Sequence, residues 1–275
     1  MEKLENGIIT TSLFDGHVIH GVSTKELGNM SFDRSQKGRA QKNFQAFMAL
    51  LSIDLNESAV CILPAKHTAL IVHVEKKLDR GRIILTPDRE NREIIQWGKG
   101  DSTFKGLLKN YDQGIDSAVS KSRRLYLALL HADCAPVLLY DPKTHYFGLV
   151  HAGIIGAVSN IVPATVRYLQ AHCLVSPKRL LAYIGPSICL NCYDPTRSRH
   201  WQDLKSRLSL LQNCFDLKDY IFNQLLSCGL VKANIESSRF CTSCSRDLFF
   251  SNHAAKEKHA TEGRQMTIIG LPWLA

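Results

Sequence analysis

Three short apolar runs in the middle of the chain, each closed by polar residues, restrict the fold more than any other feature. They are Leu125–Leu130, Pro136–Tyr140 and Tyr146–Val150, separated by His131-Ala132-Asp133-Cys134 and by Asp141-Pro142. Apolar runs of about four to eight residues between turn signals read as buried strands. Further strands are expected over Val18–Ser23, Ala59–Leu63, Leu70–Val74, Leu180–Ile184 and Gln265–Leu271. Phe44, Phe47, Met48 and Leu51 recur at helical spacing and predict a helix over Gln41–Ser52. Helices are likewise expected over Ile161–Leu169, Leu204–Leu211 and Lys218–Cys228. Strands mixed with helices imply an α/β or α+β body, and element order alone leaves the sheet topology open.

The chain has 275 residues and is 45% hydrophobic, enough to bury a large core rather than remain disordered. No repeat or Pro/Gly/Ser linker marks a boundary, so residues 1–275 are read as one domain. The N-terminus lacks an apolar segment behind a basic start, and the central runs are too short to cross a bilayer. A cytoplasmic, non-membrane protein is therefore expected. Nine cysteines, an odd number in a chain without an export signal, fit reduced thiols better than a disulfide framework. Lys and Arg exceed Asp and Glu by 34 to 25, and a net charge of +9 can steer anionic partners. Arg80, Arg82, Arg89 and Arg92 alternate with acids, as on a solvated surface, and no basic patch interleaved with aromatics occurs. No specific nucleic-acid partner is expected.

Two polar sequences follow predicted strands: His131-Ala132-Asp133-Cys134-Ala135-Pro136 and His151-Ala152-Gly153-Ile154-Ile155-Gly156. Strand ends are rigid, open places for chemistry. Cys134 offers a thiolate and His151 an imidazole, both good metal donors. His67, His73, His131 and His145 compete as a third ligand. His73 alternates within a strand, and His145 sits in a surface hairpin. Asp133 is a residue placed to act through Cys134. Cys189-Leu190-Asn191-Cys192 and Cys241-Thr242-Ser243-Cys244 are two CxxC pairs, read here as packing thiols rather than one shared metal site. Gly185-Pro186-Ser187 is a tight turn able to present backbone N–H groups to an anion. No P-loop, GxGxxG, GxSxG or HExxH is present.

Taken in order, the motifs resemble those of the multicopper polyphenol oxidoreductase, or laccase-like, family, whose relatives include zinc purine nucleoside phosphorylases and peptidoglycan-editing factors. The matching landmarks are His20-Gly21-Val22-Ser23, Asn43, His67, Asp116-Ser117-Ala118-Val119, Ala132-Asp133-Cys134-Ala135-Pro136, His151-Ala152-Gly153, Ala182-Tyr183-Ile184-Gly185-Pro186, Cys192-Tyr193, Cys241-Thr242, Phe249-Phe250-Ser251 and Gly263-Arg264-Gln265. The resemblance implies an α+β fold, a layered α/β sandwich with mixed β-sheets between helices. It implies a Zn2+ site formed by His67, Cys134 and His151, with copper as the alternative metal, and pocket roles for Asn43 and Arg264. The implied activity is phosphorolysis of adenosine, inosine, guanosine and methylthioadenosine, with adenosine deamination beside it. Purine nucleosides and inorganic phosphate would then be the partners. Three alternatives stand: a copper-dependent polyphenol oxidoreductase, a cysteine hydrolase editing peptidoglycan precursors with Cys134 as nucleophile, and a non-enzymatic basic interaction protein. The chain departs from the family pattern in having Ile154-Ile155 in place of Trp-Arg, Phe44 in place of the Arg after Asn43, and Ala65-Lys66-His67-Thr68 in place of Gln-Val-His-Gly. Losing two guanidinium groups removes planar donors for phosphate.

Overall fold

The structure, a computed structural model, describes residues 1–32, 37–66, 70–77, 82–87, 93–96, 114–194, 216–256 and 261–272. His67, Arg80, Arg89, Arg92 and the helix expected over Leu204–Leu211 lie outside the described residues.

Alternation of apolar side chains along the strands builds two facing sheets. The six-stranded sheet runs β1 (Glu2–Glu5), β2 (Ile8–Thr11), β3 (Ile19–Ser23), β14 (Gln265–Gly270), β9 (Leu125–His131), β4 (Ala59–Leu63). The eight-stranded sheet runs β13 (Ile235–Ser237), β12 (Leu181–Ile184), β10 (Ala135–Tyr140), β11 (Phe147–Ala152), β8 (Ser117–Ser120), β5 (Ile71–Lys77), β6 (Arg82–Pro87), β7 (Glu93–Gln96). Both are mixed: β4–β9, β5–β8 and β12–β13 pair parallel, and the other pairs are antiparallel.

On β9, Leu125, Leu127 and Leu129 point between the sheets, where they meet Leu138, Tyr140, Phe147 and Leu149. The intervening Tyr126 and Ala128 point the other way, onto Phe44, Phe47 and Met48 of α1 (Lys37–Leu50). On β10, Val137 and Leu139 face outward against Ile161, Val166 and Leu169 of α3 (Ile161–Cys173) and Ile221 and Leu225 of α4 (Leu217–Ser227). The result is a layered α/β sandwich with mixed sheets between helices, as expected. A short α2 (Ile154–Val158) links β11 to α3, and α5 (Asn252–Lys256) precedes β14.

The expected elements shift little. The first helix starts earlier than its apolar stripe implies, and Ser52, at φ 57°, lies beyond its end. Within the polar stretch that gave no clear periodicity, β6 pairs antiparallel with β5 and β7 with β6, extending the second sheet. Among the described residues, no helix is long and apolar enough to cross a membrane.

Candidate functional site

Sheet register places three reactive side chains at one end of the second sheet. Ala135 opposes Ala152 and Pro136 opposes His151, so Cys134, just before β10, lies beside the end of β11. Strand β8 pairs with the other edge of β11, which puts Asp116, just before β8, on the far side of His151. His151 N–H donates to the Asp116 carbonyl at 2.7 Å, and its Nδ1 bonds Asp116 Oδ1 at 2.9 Å. Asp116 is fully buried, His151 nearly so, and Cys134 half-buried.

Burial alone would depress the His151 imidazolium. The neighbouring Cys134 sulfur and the Asp116 carboxylate outweigh it and raise the group to about 10. Tyr193 is pushed up to about 12, by burial first and then by Cys134 and Asp194, which puts its ring within electrostatic reach of the same sulfur.

Cys134 is aimed by the residue before it. Asp133 adopts φ 79°, a left-handed conformation that costs a non-glycine residue energy and needs support. Three bonds hold it. Its carboxylate accepts from Thr242 Oγ1 at 2.7 Å and His253 N at 2.8 Å, and its carbonyl accepts from Ile188 N at 2.9 Å. These bonds hold the turn on which Cys134 sits.

Asn43 and Arg264 converge on one residue. Asn43 Nδ2 donates to the Asn29 carbonyl at 2.8 Å, and Arg264 N donates to Asn29 Oδ1 at 2.9 Å. Arg264 Nη1 is fixed by Asn252 Oδ1 and the Gly263 carbonyl, each at 2.7 Å. Its charge reaches the site's edge: burial first, then the His151 charge and Arg264 push His131 down to about 3.

The competing histidines find structural roles. His131 Nε2 bonds Thr267 Oγ1 at 2.7 Å between β9 and β14. His73 packs edge-on against Tyr146 and Tyr168. His145 Nδ1 bonds Tyr140 Oη at 2.9 Å. The Gly185-Pro186-Ser187 turn does not offer its first N–H to an anion, because Gly185 N donates to the Pro136 carbonyl at 2.8 Å. Where the family has Trp-Arg, Ile154 packs against the α3–α4 core.

The structure brings Cys134 and His151 together as the sequence suggested, and the register of β8 against β11 adds Asp116, which stood in a landmark motif but was not singled out as a partner of His151. Sequence reasoning misjudged the CxxC pairs. Cys189, Cys192, Cys241 and Cys244 bring four sulfurs within 4.8 Å of one another, the metal-capable group found among the described residues.

A family model described as multi-copper polyphenol oxidoreductase laccase matches residues 16–272. A purine nucleoside phosphorylase, YlmD, of Bacillus subtilis is 31% identical over 197 residues, covering 68% of this chain and 68% of that protein. Its namesake in Geobacillus stearothermophilus is 30% identical over 57% of this chain and 60% of its own length. The chain thus spans under two thirds of that relative. In Streptomyces coelicolor, the purine nucleoside phosphorylase SCO2081 is 44% identical over 29% of this chain and 33% of its own length. The crystal structure of the Bacillus licheniformis hypothetical protein YfiH shares the fold, with a TM-score of 0.74 at 24% identity over 98% of both chains.

These findings overturn the expectation of zinc. The donors that gather are four cysteine sulfurs, and the matched family is a multi-copper one. Thiolate sulfur is a soft donor that suits Cu(I). Copper is the metal favoured.

Proposed function

Because the chain belongs to the multi-copper polyphenol oxidoreductase laccase family, we propose that it is an enzyme acting where Cys134, His151 and Asp116 meet, and that it cleaves purine nucleosides with phosphate. The relatives' names supply the substrate class. The observation that supports the location is the doubly bonded Asp116–His151 pair beside Cys134. Asp116 takes Nδ1 and leaves Nε2 for a metal, the arrangement in which a carboxylate orients a metal-ligating histidine. In this reading His67, Cys134 and His151 would hold a copper ion, which would supply Lewis-acid polarisation. Arg264, locked by Asn252 and Gly263, orients phosphate, and Asn43 shapes the pocket through Asn29. The C1′–N bond of the nucleoside breaks as a C1′–O bond to phosphate forms, and the purine leaves with the electron pair and takes a proton.

A second reading uses the same geometry without a metal. His151 beside Cys134, oriented by Asp116, is the arrangement of a base that activates the cysteine nucleophile of a hydrolase. A nucleoside panel separates the two, assayed with and without phosphate, before and after copper removal by a chelator. Ribose-1-phosphate with free purine, lost on chelation and restored by copper, supports the first reading. Phosphate-independent hydrolysis that survives chelation and traps an adduct on Cys134 would favour the second, and inosine from adenosine would transfer the activity to deamination. Oxygen uptake with a phenol would favour the oxidoreductase alternative. Phosphate saturation is expected at higher concentration than in relatives that keep the Trp-Arg pair, because Ile154-Ile155 supplies no guanidinium there. Tight phosphate binding that is unchanged in Arg264→Ala would refute this view of the pocket.

A further inference from the structure

The four cysteines form a second centre, distinct from the one above. Cys189 and Cys192 lie in the turn after β12, and Cys241 and Cys244 in the turn after β13. Cys244 Sγ is 3.9 Å from Cys189 Sγ and 3.3 Å from Cys192 Sγ. All four are free thiols. Two backbone groups point at one sulfur: Cys189 N and Cys244 N donate to Cys241 Sγ at 3.2 and 3.4 Å. Such donors favour a thiolate acceptor. Sulfurs from two separate turns at this spacing repel one another once ionised, unless a cation sits among them.

The same two turns fasten the residue that aims Cys134. Ser187 and Cys241 form a parallel bridge, and Thr242 N donates to the Ser187 carbonyl at 3.2 Å. From this seam, Thr242 Oγ1 bonds the Asp133 carboxylate and Ile188 N bonds the Asp133 carbonyl. These two bonds, with that from His253 N, support the left-handed backbone of Asp133.

We propose that Cys189, Cys192, Cys241 and Cys244 bind one thiophilic cation, Cu(I), and that the bound ion clasps the two turns that hold Asp133 and thereby position Cys134. Binding is coordination without redox change: thiol protons leave to solvent as sulfur–metal bonds form. The clasp supplies no step of the reaction, and it stands whether or not the chain acts on nucleosides.

The test uses the full chain, stripped of metal and titrated anaerobically with Cu(I) against a competing chelator. One Cu(I) per chain at this site is expected to protect Cys189, Cys192, Cys241 and Cys244 from alkylation, as mapped by mass spectrometry. That protection should survive in Cys134→Ala and disappear in Cys192→Ser/Cys244→Ser. If the double variant does not fold, Cys244→Ser alone serves, since its side chain is exposed. At Cu(I) about 100 times the dissociation constant, exchange of the Ile188 amide through openings that release the ion should slow roughly 100-fold. Absence of Cu(I) protection at these four thiols, or protection that persists in the double variant, overturns the site. Binding that leaves Ile188 exchange unchanged overturns the clasp.

Discussion

At the scale of the residue, the account turns on how Asp116 orients His151. The carboxylate at 2.9 Å fixes Nδ1 and so sets which ring nitrogen stays available beside Cys134. Asp116→Asn preserves the shape and removes the charge. We expect it to lower activity about 10–100-fold and to weaken copper retention, read from kcat/KM and from the copper content after dialysis. His151→Ala should cost about 10²–10⁴-fold, as for loss of a central acid–base or ligand group; near-wild-type turnover in it would remove His151 from the site. His20 gives a separate pH signature. Its Nε2 accepts Thr11 N–H at 3.0 Å, and burial lowers its pKa despite the Val18 carbonyl and Asp15. The unfolded chain, with an ordinary histidine near pH 6.5, therefore binds more protons than the folded one as pH falls. This contribution is fully present above pH 6.5 and is lost as pH drops toward the folded value. Melting curves should show His20→Gln less sensitive than wild type across that window. Cys134 and His151 were legible in the sequence because each follows an apolar run that had to be a strand. Asp116 stood in a landmark motif, but its partnership with a residue 35 positions away was not legible, because it exists only through strand pairing.

At the scale of the element, period-two alternation explains the sandwich. Leu127 faces the layer between the sheets and is fully buried, and Tyr126 beside it faces α1. Leu127→Ala should destabilise by about 2–5 kcal/mol, the range for a large core truncation. Leu174→Ala, at a residue 84% exposed, should stay within about 0.5 kcal/mol of wild type. Chemical denaturation of the two variants checks both values, and equal effects would contradict the layer assignment. The apolar periodicity of α1, α3 and α4 was readable, and so were the strands of the central sheet. The convergence of the CxxC pairs was not. Cys192 and Cys244 are 52 residues apart, and the parallel pairing of β12 with β13 brings their turns together. Local context around either pair carries no trace of that pairing.

At the scale of the whole molecule, helices cover the outer faces of both sheets, and the strand ends gather the chemistry at one rim. Asp116, His131, Cys134 and His151 all stand at strand termini, where backbone position is set by the sheets and side chains remain free to meet. Arg264 adds a fixed guanidinium beside that rim, within a chain of net charge +9 that draws anions such as phosphate. The family match covers nearly the whole chain, so the rim is assembled from distant segments rather than from one motif. The most direct test is to incubate copper-loaded protein with adenosine and phosphate and quantify ribose-1-phosphate and adenine together, in wild type and His151→Ala. The account predicts equal amounts of the two products in wild type and loss of both in the variant. Adenosine left intact by the wild type, or product formation undiminished in His151→Ala, would contradict it.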